Sequence, residues 1–312
     1  MLTSPSRRLA LLAGASVALL AGCGSSTDSG SDGSASAAPA AASKVAVVAS
    51  TNVYGDIVSR IGGDRVSVTS VISDPDQDPH SYEASTQNQL ALSKAKVVVE
   101  NGGGYDDFVD RMLKSGGNSS AEVINAVQVS GHTAPKGGEL NEHVWYDFPT
   151  VAKITDRIAA ALGKADPANA AVYTKNAAAF KAELKPLEAK EAQIKKEHGG
   201  SAIAITEPVP LYMTGASGLV DRTPAEFSEA IEEGTDVSPK VLQEALALFT
   251  DKQVKALVYN AQTSGPQTEK SEQAARAAGI PVVPLTETLP SGKNYLAWMT
   301  GNVDALANAL AK

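Results

Sequence analysis

The stretch that decides the fold runs from Asp166 to Gly200 and has the sequence DPANAAVYTKNAAAFKAELKPLEAKEAQIKKEHGG. Asp-Pro at its start and Gly-Gly at its end are typical helix boundaries, and no glycine lies between them. At about 1.5 Å per residue, a helix of this length extends roughly 45 Å, more than one small lobe requires. Pro186 should kink or split it. We therefore predict a long helix that joins two lobes.

Short apolar runs rich in β-branched residues alternate with helical patterns on both sides of this helix. Continuous apolar strands separated by helices indicate a parallel sheet covered on both faces. The predicted strands are 45–49, 66–72, 97–100, 121–125, 202–205, 256–259 and 282–285. The predicted fold class is α/β, with two lobes that each hold a parallel sheet flanked by helices. The predicted ranges are 44–165 for the N-terminal lobe, 166–198 for the linking helix and 199–312 for the C-terminal lobe.

The first 23 residues have the pattern of a bacterial lipoprotein signal peptide. Arg7 and Arg8 precede an apolar run from Leu9 to Leu20, which is too short for a membrane span. The run ends in Leu-Ala-Gly-Cys, which resembles a lipobox and makes Cys23 the predicted lipidated residue. Cys23 is the single cysteine, so it has no disulfide partner within the chain. We expect an exported protein that is anchored to the cell membrane at its extracytoplasmic face.

Residues 24–43 contain only small and polar side chains, apart from alanine and one proline. Such a segment cannot bury enough apolar surface to offset the entropy of ordering, so we expect a flexible tether. The net charge is −8, and removal of the signal peptide with its two arginines makes it −10. An acidic chain argues against nucleic acid as a partner and is compatible with a cationic ligand.

Four polar side chains follow predicted strands at the edge where parallel sheets bind ligands, at the carboxyl ends of the strands. They are His80, His143, Glu207 and Glu287, separated by 63, 64 and 80 residues. A single loop histidine is usually a surface residue, and a single loop glutamate is usually a solvated charge. Two of each, arranged in this way, would instead form a closed metal site between the lobes.

Two motifs carry a resemblance to a known family. Asp-Pro-His-Ser-Tyr-Glu at 78–83 and Asn-Glu-His-Val-Trp-Tyr-Asp at 141–147 resemble the first two ligand motifs of zinc/manganese-type solute-binding lipoproteins of bacterial ABC importers. The resemblance covers essentially the whole mature chain. In the second motif, proline is commoner than glutamate before the histidine. The resemblance implies two α/β lobes bridged by one long helix.

The resemblance also implies a role for each candidate residue. His80 and His143 match the first two ligands, and Glu207 occupies the third position, which is His in many zinc binders and Glu in many manganese binders. Glu287 stands where the family usually has the shorter Asp. Asn260 and Gln262 are implied as residues behind the ligands or as alternative ligands. The partners implied are an ABC permease with its ATPase and a membrane reached through the lipid, and the protein is expected to be a monomer.

Two imidazoles and two carboxylates suit Zn²⁺ in a tetrahedral site, or Mn²⁺ where the carboxylates become bidentate. The predicted cargo is therefore Zn²⁺ or Mn²⁺. Copper and iron are less favoured because no Cys or Met lies near the ligands, and nickel stays open. His132 and His198 are not assigned as ligands. The region from Gly131 to Asn141 is short and lacks the long His-rich loop found in many zinc-type members.

Three alternatives stay open at the level of sequence. A binding protein for a metal chelate such as a siderophore shares the two-lobe architecture but does not need the two histidines. A metallohydrolase would require an open coordination position and a general base. No His-Glu-x-x-His helix is present, so we predict that the protein is not an enzyme. An adhesin role is neither supported nor excluded.

Overall fold

The computed structural model describes residues 43–74, 82, 85–136 and 138–312. Residues Ser43–Lys312 form one compact unit. The predicted signal peptide with Cys23, residues 24–42 of the tether, and His80 lie outside the described residues. In the part of the chain that is described, no helix combines the length and the apolar character that a membrane span requires.

The first sheet has four parallel strands in the order β2-β1-β3-β4, with Val47 opposite Val97 and Val99 opposite Ile124. Its strands are β1 (Val45–Thr51), β2 (Val66–Ile72), β3 (Val97–Glu100) and β4 (Glu122–Asn125). The helices of this half are α1 (Asn52–Gly62), α2 (Thr86–Lys94), α3 (Phe108–Gly116), α4 (Ala126–Ser130) and α5 (Phe148–Ala165). The nearly continuous burial of β1 and β3 is what a parallel sheet covered on both faces requires.

The linking helix α6 (Ala170–His198) is 29 residues long. Its buried residues recur every three or four positions and form one stripe: Tyr173, Ala177, Phe180, Leu184, Leu187, Glu191 and Ile194. The helix begins four residues later than Asp166, after a 3-10 turn over Pro167–Asn169. The Asp166 carboxylate accepts hydrogen bonds from the side chains of Asn169 and Tyr173, both at 2.7 Å, and so stabilises this start.

The helix is not split at Pro186, in contrast to one of the two outcomes that the sequence predicts. Proline removes the hydrogen bond to the carbonyl four residues earlier, which belongs to Ala182. Both residues lie on the exposed face of α6. Water can hydrate the freed carbonyl there, so the helix continues without a buried unpaired group.

The second sheet repeats the plan of the first, with parallel strands in the order β6-β5-β7-β8. Its strands are β5 (Ala202–Ile205), β6 (Val220–Asp221), β7 (Leu257–Asn260) and β8 (Val282–Leu285). Its helices are α7 (Leu211–Ala216), α8 (Ala225–Glu232), α9 (Pro239–Thr250), α10 (Pro266–Ala277) and α11 (Tyr295–Leu310). The two parallel sheets, their flanking helices and the long helix confirm the predicted fold class.

One apolar cluster runs through both halves of the molecule. It includes Val47 of the first sheet, Phe180 of α6, Ile205 of the second sheet and Trp298 of α11. Helix α6 packs against α1, α5 and α11. This shared core holds the two sheets in fixed positions, so the loops at the carboxyl ends of their strands can meet in a defined geometry.

Candidate metal centre

Two buried carboxylates from the second sheet meet on a single asparagine side chain. Glu207 follows β5 and is 2% exposed, and Glu287 follows β8 and is 5% exposed. Asn260, the last residue of β7, donates from Nδ2 to Glu207 Oε2 and, at 2.6 Å, to Glu287 Oε1. Because these strands are parallel neighbours, their exits place both carboxylates at one edge of the sheet.

The loop that carries Glu287 is held by Gln262. The Gln262 Oε1 atom accepts hydrogen bonds from the backbone N–H groups of Glu287 at 2.6 Å and Thr288 at 3.0 Å. Its Nε2 donates to Thr288 Oγ1 at 2.6 Å. Gln262 therefore fixes the backbone from which the Glu287 carboxylate projects.

Tyr105 connects this carboxylate to the first half of the molecule. Its hydroxyl donates to Glu287 Oε2 at 3.4 Å, and its ring lies 4.9 Å from that of Trp145 and 5.9 Å from that of His143. The chain reaches Tyr105 through three glycines with positive φ, beginning at Gly102. A Cβ at Gly102 would come within 2.1 Å of Asn125 Nδ2, so only glycine fits there.

His143 is completely buried, and Asn141 orients its ring. Asn141 Oδ1 accepts hydrogen bonds from the backbone N–H of His143 at 3.0 Å and from its Nδ1 at 2.8 Å. Asn141 Nδ2 donates to the carbonyl of Pro208 at 3.0 Å, which identifies Oδ1 as the atom that faces the ring. The proton is therefore on Nδ1, and Nε2 carries the lone pair with which an imidazole binds a metal.

Two further glutamates lie at His143. The His143 Nε2 atom is 3.5 Å from Glu232 Oε1, at the end of α8. Glu142, His143 and Glu232 form a cluster. One carboxylate oxygen of each glutamate and one ring nitrogen of His143 all lie within 4.8 Å of one another. The side chain of Glu232 is 16% exposed, whereas that of His143 is fully buried.

The carboxylates of the site raise one another's proton affinity. Burial raises the pKa of Glu232 to about 9, helped by the charges of Glu142, Glu207 and Glu287. Burial also raises the pKa of Glu142 to about 7, with a further contribution from Glu139. Glu287 adds to the effect of burial in raising the pKa of Tyr105 well above its usual value. Without a metal, these carboxyl groups therefore hold protons more tightly than usual, and a bound cation would relieve their burial and mutual repulsion.

Of the four predicted ligands, the structure brings Glu207 and Glu287 together through Asn260 and places His143 beside Glu232. Asn260 donates to both carboxylates, whereas Gln262 accepts from the backbone N–H groups of Glu287 and Thr288. His132 lies away from this set, with its Nε2 2.9 Å from Asp147 and its ring stacked on Tyr212. Sequence reasoning missed Tyr105 and Glu232. Glu142 could have been singled out because it lies inside the quoted 141–147 motif.

The chain matches a known family along most of its length. The family described as zinc-uptake complex component A, periplasmic (ZnuA) matches residues 47–309. The manganese-binding lipoprotein MntA of Bacillus subtilis is 27% identical, over 75% of this chain and 76% of that protein. The iron ABC transporter substrate-binding lipoprotein MtsA of Streptococcus pyogenes serotype M1 is 26% identical, over 98% of this chain and 99% of that protein.

Comparison of the fold with solved structures leads to the same family. A solved structure titled as the crystal structure of ZnuA aligns with a TM-score of 0.71 at 26% identity, covering 85% of this chain and 99% of that one. Sequence and structure therefore agree on one group of metal-transport components.

Proposed function

The chain belongs to the ZnuA family of metal-uptake components, and from that premise we propose that it captures a divalent transition metal outside the cytoplasm and delivers it to an ABC permease. Substrate-binding components bind and release their cargo unchanged, so the proposal contains no catalytic step. The cargo sits between the two sheets, on His80, His143, Glu207 and Glu287. Asn260 and Gln262 hold the two carboxylates from behind.

The observation that carries this proposal is the orientation of His143. Its Nδ1 is hydrogen-bonded to Asn141, which leaves Nε2 facing the acidic centre, 3.5 Å from Oε1 of Glu232. A histidine held in this way by a neighbouring acceptor is the usual arrangement of a metal-ligating imidazole. The two carboxylates joined by Asn260 supply the negative charge that a divalent cation requires.

We propose Zn²⁺ or Mn²⁺ as the cargo. Carboxylates suit the harder Mn²⁺ and imidazole suits Zn²⁺, and nearly any such site binds Zn²⁺ more tightly than Mn²⁺. Affinity alone therefore does not identify the physiological metal. A concentrated acidic centre also disfavours the alternative of a negatively charged metal chelate as the ligand.

The related lipoproteins support a membrane-anchored location. Both relatives carry the word lipoprotein in their names. For this chain we propose lipidation at Cys23, with residues 24–43 as a tether and the folded body at the extracytoplasmic face of the cell membrane. The partners are the permease with its ATPase, and the protein acts as a monomer.

The experiment that tests the function is a metal titration of the mature protein, with His143→Ala as the variant and His132→Ala as the matched control. Wild-type protein should bind one equivalent of Zn²⁺ or Mn²⁺. Loss of a direct ligand should weaken binding more than the roughly 10- to 100-fold that loss of a supporting residue causes. The control should bind as wild type does. Wild-type affinity in the His143 variant would refute the site.

A second measurement separates the two candidate metals. Zn²⁺ and Mn²⁺ compete for the purified protein, and a strain that lacks the protein is grown under starvation for each metal. The metal whose starvation exposes a growth defect is the physiological cargo, whichever one binds more tightly in the titration.

A further inference from the structure

A pocket of about 660 Å³ opens beside the metal centre and is strongly acidic. No Lys or Arg is found among its described lining residues. The six carboxylates that line it are Glu139, Glu142, Asp221, Glu229, Glu232 and Glu233. Such a concave surface of one charge sign concentrates cations near it and speeds their association.

Glu142 and Glu232 lie at the inner end of this pocket. Both line it, and both also belong to the cluster in which three ligand atoms lie within 4.8 Å, together with His143. His143 is fully buried and does not line the pocket. The two glutamates therefore lie between the pocket and the imidazole.

The distance between His143 and Glu232 fits a metal ion. Two ligands of a tetrahedral ion, each about 2.0–2.2 Å from the metal, lie about 3.4 Å apart. The distance from His143 Nε2 to Glu232 Oε1 is 3.5 Å, which matches this edge and is too long for a good hydrogen bond. With its proton on Nδ1, His143 is neutral, so this contact is not an ion pair, and no Lys or Arg lies beside Glu232 in the described lining of the pocket. A carboxylate that is mostly buried holds a proton or binds a cation.

We propose that Glu142, Glu232 and His143 form an outer metal site through which a divalent transition-metal ion passes between the pocket and the buried carboxylates Glu207 and Glu287. This inference rests on the proposed function of metal capture. The ion exchanges part of its water shell for the two glutamates while it is still in contact with the pocket. The Nε2 atom of His143 serves both sites, so the ion never loses its imidazole ligand while the carboxylates are exchanged.

The test is rapid mixing of the mature protein with Zn²⁺, and separately with Mn²⁺, followed by tryptophan fluorescence. Trp145 is a suitable reporter because its ring lies 5.0 Å from that of His143. The two test variants are Glu232→Gln and Glu142→Gln. Each removes one glutamate of the outer site, and we call them the transit variants. Glu233→Gln is the matched control, since Glu233 lines the same pocket, is exposed and lies outside the cluster. Circular dichroism checks that each variant is folded.

Each transit variant should slow association by about tenfold or more, the lower end of what loss of one group at a metal site costs. Dissociation should slow by a similar factor, because the ion leaves by the same route, so the equilibrium Kd is preserved. The Glu233 variant should stay near the wild-type rates.

Three results would overturn the outer site. In the first, the Glu232 variant associates at the wild-type rate with the wild-type Kd. In the second, it has a weakened Kd with an unchanged association rate, which would make Glu232 a ligand of the final site. In the third, the Glu232 and Glu233 variants slow equally, which would reduce the effect to pocket charge. Failure of the proposed function looks different, because the wild-type protein itself would then bind neither metal.

Discussion

The carboxyl ends of the two sheets both join an asparagine to buried glutamate, but in different arrangements. At the carboxyl end of the first sheet, Asn125 Nδ2 donates to Glu100 Oε1 at 2.9 Å. At the same end of the second sheet, Asn260 donates to both Glu207 and Glu287. Each sheet thus pairs an asparagine that ends a strand with a carboxylate that ends or follows another strand.

The difference lies in how many charges converge on each donor. In the first sheet, the Asp106 carboxylate accepts hydrogen bonds from the backbone N–H groups of Asn101 at 2.6 Å and Gly102 at 2.7 Å. The Asn125 side chain donates to one carboxylate, that of Glu100. In the second sheet, two carboxylates converge on one neutral amide. All four acids are buried, so it is the arrangement of donors around them, and not burial, that differs between the two sheets.

The largest expected difference between the two ends is their response to metal. An ion held by ligands on both sides of α6 stabilises the folded state by RT ln(1 + [L]/Kd), about 4 kcal/mol at a thousandfold excess over Kd. The melting temperature should therefore rise on addition of Zn²⁺ or Mn²⁺, while the radius of gyration scarcely changes. Thermal unfolding and small-angle scattering measure the two quantities. A large domain closure in the scattering curve would contradict a rigid α6.

The asparagine pair offers a direct comparison of the two ends. Asn260→Ala removes the donor that holds both Glu207 and Glu287, and should weaken metal affinity about 10- to 100-fold, as loss of a supporting residue does. Asn125→Ala removes the corresponding donor in the first sheet and should leave the affinity unchanged. Calorimetric titration of the two variants checks this. If the Asn260 and Asn125 variants bound metal with equal affinity, the two sheet ends would not differ in function.

Asp106→Asn should instead lower the stability of the folded state and leave the metal affinity unchanged. The amide that replaces one carboxylate oxygen cannot accept from a backbone N–H group, so a buried donor loses its partner at a cost of about 1–3 kcal/mol. Urea unfolding should show this loss in the free energy of unfolding, with metal affinity unaltered. Asp107→Asn is the control because Asp107 is exposed. A variant of Asp106 as stable as wild type would show that the two backbone hydrogen bonds contribute little.

The last expected effect, spread over several pH units, is a pH dependence of stability from Glu100. Burial raises its pKa from 4.5 to about 7, partly offset by the hydrogen bond from Asn125 and increased by Asp106. Between these pH values the folded state keeps a proton that the unfolded state has lost. The stability that this proton provides is complete below pH 4.5 and declines as the pH rises through about 7. The Glu100→Gln variant should lack this part of the pH dependence when its unfolding is followed at several pH values.

The fold was largely predictable because its signals are local. Apolar β-branched runs and capping residues marked seven of the eight strands and the linking helix. Strand β6 was missed because it has only two residues, Val220 and Asp221, and no period can be recognised in so short a run. The helix start was displaced from Asp166 to Ala170 because Asp166 uses its carboxylate on Tyr173, a contact between residues that the capping rule does not consider.

The candidate site was predictable where strand exits define it. Glu207 and Glu287 follow strands of one parallel sheet, so topology alone indicates that they meet. Glu232 comes instead from the end of α8 and is brought to His143 by tertiary packing, which leaves no motif in the sequence. Tyr105 depends on the positive φ angles of the glycines before it, and its contact with Glu287 spans 182 residues.

Asn141 gives the centre a mechanical property as well as a chemical one. Its side chain ties the imidazole of His143 to the carbonyl of Pro208, the residue that follows Glu207. Its own carbonyl accepts from the hydroxyl of Tyr212 at 2.7 Å. Any displacement of the 208–212 segment would therefore act on the two bonds that hold Asn141 and, through Asn141, on the position of the His143 ring. The orientation of this imidazole is thus tied to the backbone directly after Glu207.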